Sequence, residues 1–129
     1  IANTTFAVIV GGTATVRNNI MTASSYGILN VGALTHGTNL YYNNGTNYFW
    51  TTAGTGDVYT NPSFVSSTDY HLNAGSGAVN TGAVASSVSS LDKDGYSRPC
   101  GGGWDIGCYE RGNCGSKPKL KNWTTVAPQ

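Results

Sequence analysis

Charge is what this sequence has least of. Only 10% of its 129 residues are charged, and seven basic against six acidic side chains leave a formal net charge of +1. A surface that binds nucleic acid needs clustered Lys and Arg to displace phosphate counterions. The one basic cluster, Lys117, Lys119 and Lys121, shares a terminal stretch with Pro118 and reads as a solvated extension. Nucleic acid is therefore not the expected partner. Long apolar runs are also missing, and none approaches the roughly 20 residues that a membrane-spanning helix requires. The three cysteines, Cys100, Cys108 and Cys114, form no paired CxxC spacing, which argues against zinc. Helical periodicity is scarce as well. Its best candidate, Ala83 to Leu91, is too rich in Ser and β-branched residues to make a convincing helix. The chain opens at Ile1 inside a β-prone run, without Met or a signal-peptide pattern, and reads as processed or partial.

What is abundant is Gly, Ser, Thr and Asn, so hydroxyls and amides must solvate the surface. Short β-prone runs recur at Phe6 to Val10, Ala14 to Met21, Tyr26 to Val31, Asn39 to Tyr42, Tyr48 to Thr52 and Asp57 to Tyr59. Turn chemistry separates them at Gly11-Gly12, Ser24-Ser25, Gly32, Asn43-Asn44-Gly45 and Gly54-Thr55-Gly56. Asn sits beside an apolar strand start at Asn3, at Asn18-Asn19 and at Asn39. Repetition of this kind points to a β-solenoid, in which Asn stacks at the bends through amide hydrogen bonds. An antiparallel sandwich also fits many short strands with Gly-rich turns. Composition does not separate the two, and the order of Asn and apolar residues favours the solenoid.

Candidate chemistry falls in four groups. Asp92, Asp94, Arg98, Asp105 and Glu110 crowd one stretch, where a buried Arg–carboxylate network is the leading expectation. Asp92-x-Asp94-Gly95 also offers hard oxygen ligands for calcium as a cofactor, although no complete EF-hand loop follows. A glycosidase carboxylate pair is the least favoured reading of the same residues, since no cleft is evident. The densest aromatic segment supplies Tyr41, Tyr42, Tyr48 and Trp50 as candidates for stacking on sugar rings, against the stronger expectation that alternate members pack inward. The spacing allows Cys100–Cys108 or Cys108–Cys114 as a bridge, with the leftover thiol free to link two molecules. Three sequons at Asn3, Asn44 and Asn122, with scarce Lys, fit an oxidising compartment. His36 and His71 belong to no metal or nucleophile motif and read as surface or packing residues.

From residue 61 onward a series of phrases carries a resemblance. They are Asn61-Pro62-Ser63-Phe64-Val65, Asp69-Tyr70-His71-Leu72, Gly75-Ser76-Gly77-Ala78-Val79-Asn80-Thr81-Gly82, Asp92-Lys93-Asp94-Gly95-Tyr96-Ser97-Arg98-Pro99 and Asp105-Ile106-Gly107-Cys108-Tyr109-Glu110. In this order they resemble the C-terminal region of bacterial extracellular right-handed parallel β-helix proteins, including many with a choice-of-anchor Q domain. Gly77, Asn80 and Cys108 depart from the family's usual Pro, Asp and Ala. The resemblance implies an all-β fold, with right-handed parallel β-helix coils over 1–82, a loop-rich C-terminal cap over 83–116 and a tail over 117–129. It also implies an extracellular or cell-surface setting and a structural or carbohydrate-associated role, with polysaccharide or neighbouring copies of the chain as partners. It transfers no catalytic residue. Two alternatives stand beside it: the C-terminal part of a polysaccharide lyase or glycosidase, on the resemblance alone, and a subunit of an end-to-end stacked surface fibre, expected from a first strand ladder without a cap of its own.

Overall fold

The computed structural model describes residues 4–84 and 89–117. The calls on Asn3, Asn122, Pro118, Lys119 and Lys121, and part of the Ala83 to Leu91 run, lie outside the described residues. Among the described residues the protein is all-β, without a helix. Its seven strands are β1 (Phe6–Val10), β2 (Thr13–Arg17), β3 (Ile20–Thr22), β4 (Tyr26–Asn30), β5 (Ala33–Gly37), β6 (Leu40–Tyr42) and β7 (Thr46–Phe49).

Every pairing between these strands is parallel. They form three sheets, ordered β1-β4-β7, β2-β5 and β3-β6. The register is uniform: Phe6 lies beside Tyr26, Thr13 beside Ala33, Ile20 beside Leu40 and Tyr26 beside Thr46. Each side chain thus meets its equivalent 20 positions on, the spacing that also separates hydrogen-bonded Asn19 and Asn39. Parallel pairing of this kind excludes the antiparallel sandwich for these strands.

The corners repeat with the strands. Asn18 and Thr38 both have φ 55°, and Ala23 and Asn43 have φ 53° and 54°. These left-handed residues break the chain between β2 and β3, between β5 and β6, and just beyond β3 and β6. Their backbone strain is offset by bonds to the neighbouring layer, such as Asn18 N–H to the Thr38 carbonyl at 3.0 Å and Ala23 N–H to Tyr42 at 3.1 Å. The single run expected from Ala14 to Met21 is accordingly two strands, split at Asn18.

Asparagine fills the bends. Asn39 is fully buried, and its Oδ1 accepts from Asn19 N at 3.0 Å and Asn19 Nδ2 at 3.2 Å. Its Nδ2 donates to the carbonyls of Val16 at 2.9 Å and Gly37 at 3.2 Å. Asp57 Oδ1 continues the row by accepting Asn39 N at 2.9 Å, now 18 positions along the chain. A second row joins Thr4, Ser24 and Asn44, with Oγ1 to Oγ at 3.1 Å and Ser24 N to Asn44 Oδ1 at 3.0 Å.

Two apolar clusters lie behind these rows. Val10, Val16, Met21, Ile28 and Tyr41 make the first, inside the sheets. Ile20, Leu40, Leu72, Ala78 and Ile106 make the second, where the later loops cover the strands. Gly27 shows how closely the layers approach: a Cβ there would meet the Asn47 carbonyl oxygen at 2.6 Å. Beyond Phe49 only isolated bridges occur among the described residues, with Leu40 to Val58 parallel and Phe64 to Leu72, Gly82 to Trp104 and Leu91 to Ser97 antiparallel. Regular pairing therefore stops well before residue 82.

Candidate functional site

The acidic stretch folds into an internal clamp. Arg98 Nη1 meets Glu110 Oε1 at 2.9 Å, with their side chains 4% and 0% exposed. Arg98 Nη2 donates to the Gly107 carbonyl at 3.0 Å, and the guanidinium lies over the Trp104 ring at 5.7 Å. Glu110 also accepts the backbone N–H groups of Cys100 and Asp105, both at 3.0 Å. Asp105 takes Asn80 N at 2.7 Å and Arg111 N at 2.6 Å, while Asp92 takes Tyr96 N at 2.8 Å and Glu110 N at 3.1 Å. Burial pushes the Asp105 carboxyl above the usual carboxylate range, against the pull of the Asn80 and Arg111 amides. These three carboxylates replace regular sheet pairing as the acceptors for loop N–H groups.

Asp94 is engaged elsewhere. Its Oδ2 accepts His71 Nε2 at 2.9 Å, whereas Asp92 faces the backbone, so the two do not form the oxygen cluster that the calcium reading required. Among the described residues no group of three or more His, Cys, Asp or Glu is arranged to hold a metal. The disulfide joins Cys100 and Cys114, with Cα atoms 4.6 Å apart. That pairing corrects both alternatives drawn from the spacing. The free thiol is exposed Cys108, which the fold sets on the pocket side of its loop.

The aromatic candidates divide. Tyr41 is 1% exposed and packs in the first core cluster, so it cannot meet a glycan, correcting that expectation. Its hydroxyl lies beside Tyr48 and Asn39 without a hydrogen bond of good geometry, and burial raises it well above the ordinary phenol range. Tyr48 is also unsuited to stacking: it is half-buried, and its hydroxyl is tied to Asp57 Oδ2 and the Tyr59 hydroxyl, each at 2.7 Å. Burial, then the bonds to Tyr59 and Asp57, raise that hydroxyl too. His36 Nδ1 lies 3.7 Å from the same Asp57 carboxylate, in a nearly closed environment. Tyr42 and Trp50 remain accessible, Trp50 at 69%.

Trp50 belongs to a ridge that was not singled out in the sequence. Phe6 stacks on Tyr26 with centroids 5.0 Å apart, Tyr26 meets Phe49 edge-on at 5.1 Å, and Phe49 meets Trp50 at 5.1 Å. Phe6, Tyr26 and Phe49 are half-buried and lie outside both core clusters. The signal that reveals the ridge is the 20-residue offset, which sets Phe6 directly beside Tyr26 across β1 and β4.

A pocket of about 500 Å³ opens between β3 and the later loops. Buried Ile20, Leu72 and Ile106, the rings of Phe64, Tyr70 and Tyr109, and exposed Lys93 are among its lining. His71 links two loops: it contacts Asp69 on its own loop and Asp94 on the other, and it stacks on Tyr109 at 3.9 Å. Its bonds to Asp94 and Asp69 raise the imidazole above its ordinary value. Lys93 Nζ donates to the Tyr109 hydroxyl at 3.1 Å, which holds the ammonium above its usual range.

Asn44 is half-buried, and its amide nitrogen donates to the Met21 carbonyl at 2.9 Å and Asn47 Oδ1 at 3.2 Å. Attaching a glycan at that nitrogen would remove one of these two bonds. Comparisons with family models, curated proteins and solved structures find no match to this chain. No helix among the described residues is long and apolar enough to cross a membrane.

Proposed function

We propose that the chain is the closing segment of a right-handed parallel β-helix in an extracellular or cell-surface protein, and that it meets polysaccharide along its aromatic ridge. The observation that carries this reading is the uniform 20-residue parallel register, repeated in three sheets and followed by loops pinned on buried carboxylates. Strand to strand connections that return in parallel to one sheet are overwhelmingly right-handed. A stack of coils needs a cover for its last apolar layer, and Leu72, Ala78 and Ile106 supply one over Ile20 and Leu40. The choice-of-anchor Q phrasing from Asn61 to Glu110 runs through those same covering loops. The disulfide fits an oxidising setting.

Polysaccharide contact rests on Trp50 and the half-exposed rings beside it. Trp50 supplies the exposed ring, a large apolar surface with a polar edge suited to stacking on a sugar, and the rings behind it support it from one side. Co-sedimentation with insoluble cellulose, chitin, xylan and pectin tests it. Depletion of the protein by at least one of them, reduced about tenfold by Trp50→Ala, is the expected result, corresponding to the loss of one stacked ring. Equal binding by the variant, or none to any of the four, would remove the carbohydrate role.

The fibre reading has one observation in its favour. β1, β2 and β3 each lie at a sheet edge, with backbone groups facing away from β4, β5 and β6. A preceding coil or a second copy would pair there. Sedimentation velocity over a concentration series separates these outcomes, because stacked copies grow with concentration and a covered edge leaves a single species.

A further inference from the structure

The pocket between β3 and the later loops differs in chemistry from the aromatic ridge. Its lining is mostly apolar and includes Ile20, Leu72 and Ile106, which belong to the second core cluster and are 8%, 6% and 0% exposed. Two asparagines of the lining are committed to the fold. Asn18 exchanges two hydrogen bonds with the Ala83 backbone, at 2.7 and 2.8 Å. Asn19 spends its amide hydrogens on the Arg17 carbonyl at 2.7 Å and on Asn39 at 3.2 Å. The Thr22 and Tyr70 hydroxyls of the lining stay uncommitted, beside a mostly apolar surface.

Lys93 is the one charged side chain of the lining. Lys93 lies within ion-pair distance of no carboxylate among the described residues. Its ammonium has three donors and spends one on Tyr109, over whose ring it lies at 5.4 Å, so two donors remain on an exposed side chain of the lining. A single cation over apolar walls selects a ligand with one negative charge and a compact hydrophobic body. A dianion such as a phosphate monoester would call for a second basic group, and none lines this pocket. The volume, about 500 Å³, lies within the range for small-molecule sites.

We propose that this pocket binds a small amphipathic carboxylate, with its ring or alkyl body on Phe64, Ile20 and Leu72 above the buried Ile106 and its carboxylate on Lys93 Nζ. Tyr70 and Tyr109 flank the body. The exposed His71–Asp94 pair ties the loop that carries Tyr70 to the loop that carries Lys93. This site is independent of polysaccharide contact, and either can fail without the other.

The test is titration with cinnamate, and with methyl cinnamate as its uncharged counterpart, followed by calorimetry and by methyl NMR of Ile20 and Ile106. Cinnamate is expected to bind and to shift both methyl signals, with the ester about tenfold weaker, the worth of one charge-assisted bond. Lys93→Gln, a change at an exposed side chain, is expected to weaken cinnamate about tenfold and to leave the ester unchanged. No binding, unshifted Ile20 and Ile106 signals, equal affinity for acid and ester, or full affinity in K93Q would each overturn the proposal. Far-UV circular dichroism of K93Q matching the parent confirms that the loss comes from the charge.

Discussion

Asn39 and Glu110 show how single polar side chains hold this protein together. Asn39 satisfies two carbonyls and the Asn19 amide from a position with no access to water. Asn39→Ala leaves those groups buried and unpaired, and urea denaturation is expected to show a loss of about 3 kcal/mol or more. Asn30→Ala is the comparison: its carbonyl only accepts Gly32 N in an exposed turn, and a loss of about 1 kcal/mol or less is expected. Glu110 is the hub of the loop clamp. Glu110→Ala strands the buried Arg98 guanidinium and two backbone amides, and the same measurement should lose about 3 to 5 kcal/mol.

At the scale of elements, the corners carry the strain and the strands carry the register. Thr38 is β-branched yet has φ 55°, where Asn18 stands in the equivalent corner one layer away. Only its backbone is used there, in bonds to Asn18 and Thr55. Thr38→Asn is therefore expected to stabilise by about 1 kcal/mol, read as a higher denaturation midpoint with unchanged slope. The same corner explains what was legible. Phe6 to Val10 and Tyr26 to Val31 were plain because β-branched and aromatic residues alternate between Gly-rich turns. β5 (Ala33–Gly37) was invisible, since Ala, His and Gly carry little strand preference and the strand is held by pairing with β2. The Asn rows at Asn19 and Asn39 were readable as bend residues. The aromatic ridge was not, because Phe6 and Tyr26 become neighbours only once the 20-residue offset is known.

Across the molecule, the strand layers and the later loops are joined by apolar burial and by the Asn18 bonds to Ala83, while the Cys100–Cys114 bridge and the His71 link tie the loops to one another. The bridge closes a short loop and contributes about 3 kcal/mol by chain entropy. The His71 link gives a pH dependence whose sign follows from its partners. The imidazole is raised by Asp94 first and Asp69 second, so its contribution is complete below the ordinary value of 6.5 and fades as pH climbs through the raised value. Asp69 is lowered by His71, so its share is present above its ordinary 3.8 and fades as pH falls through the lowered value. The melting difference between the parent and His71→Gln should peak at about pH 5 to 6 and shrink at about pH 9. A difference that grows with pH would contradict the link.

Layers of this chain stack in parallel, 20 residues apart. Paired cysteines at exposed Thr13 and Ala33, in a Cys108→Ser background, test this arrangement most directly, because these residues face each other across β2 and β5. Thr13→Cys with Ala33→Cys should bridge on mild oxidation, with a mobility shift reversed by reductant, while Thr13→Cys with Thr35→Cys should not, since a step of two residues along the partner strand separates the Cα atoms by about 8 Å, beyond disulfide reach. Efficient bridging of the second pair but not the first would contradict the parallel register and the stacked architecture built on it.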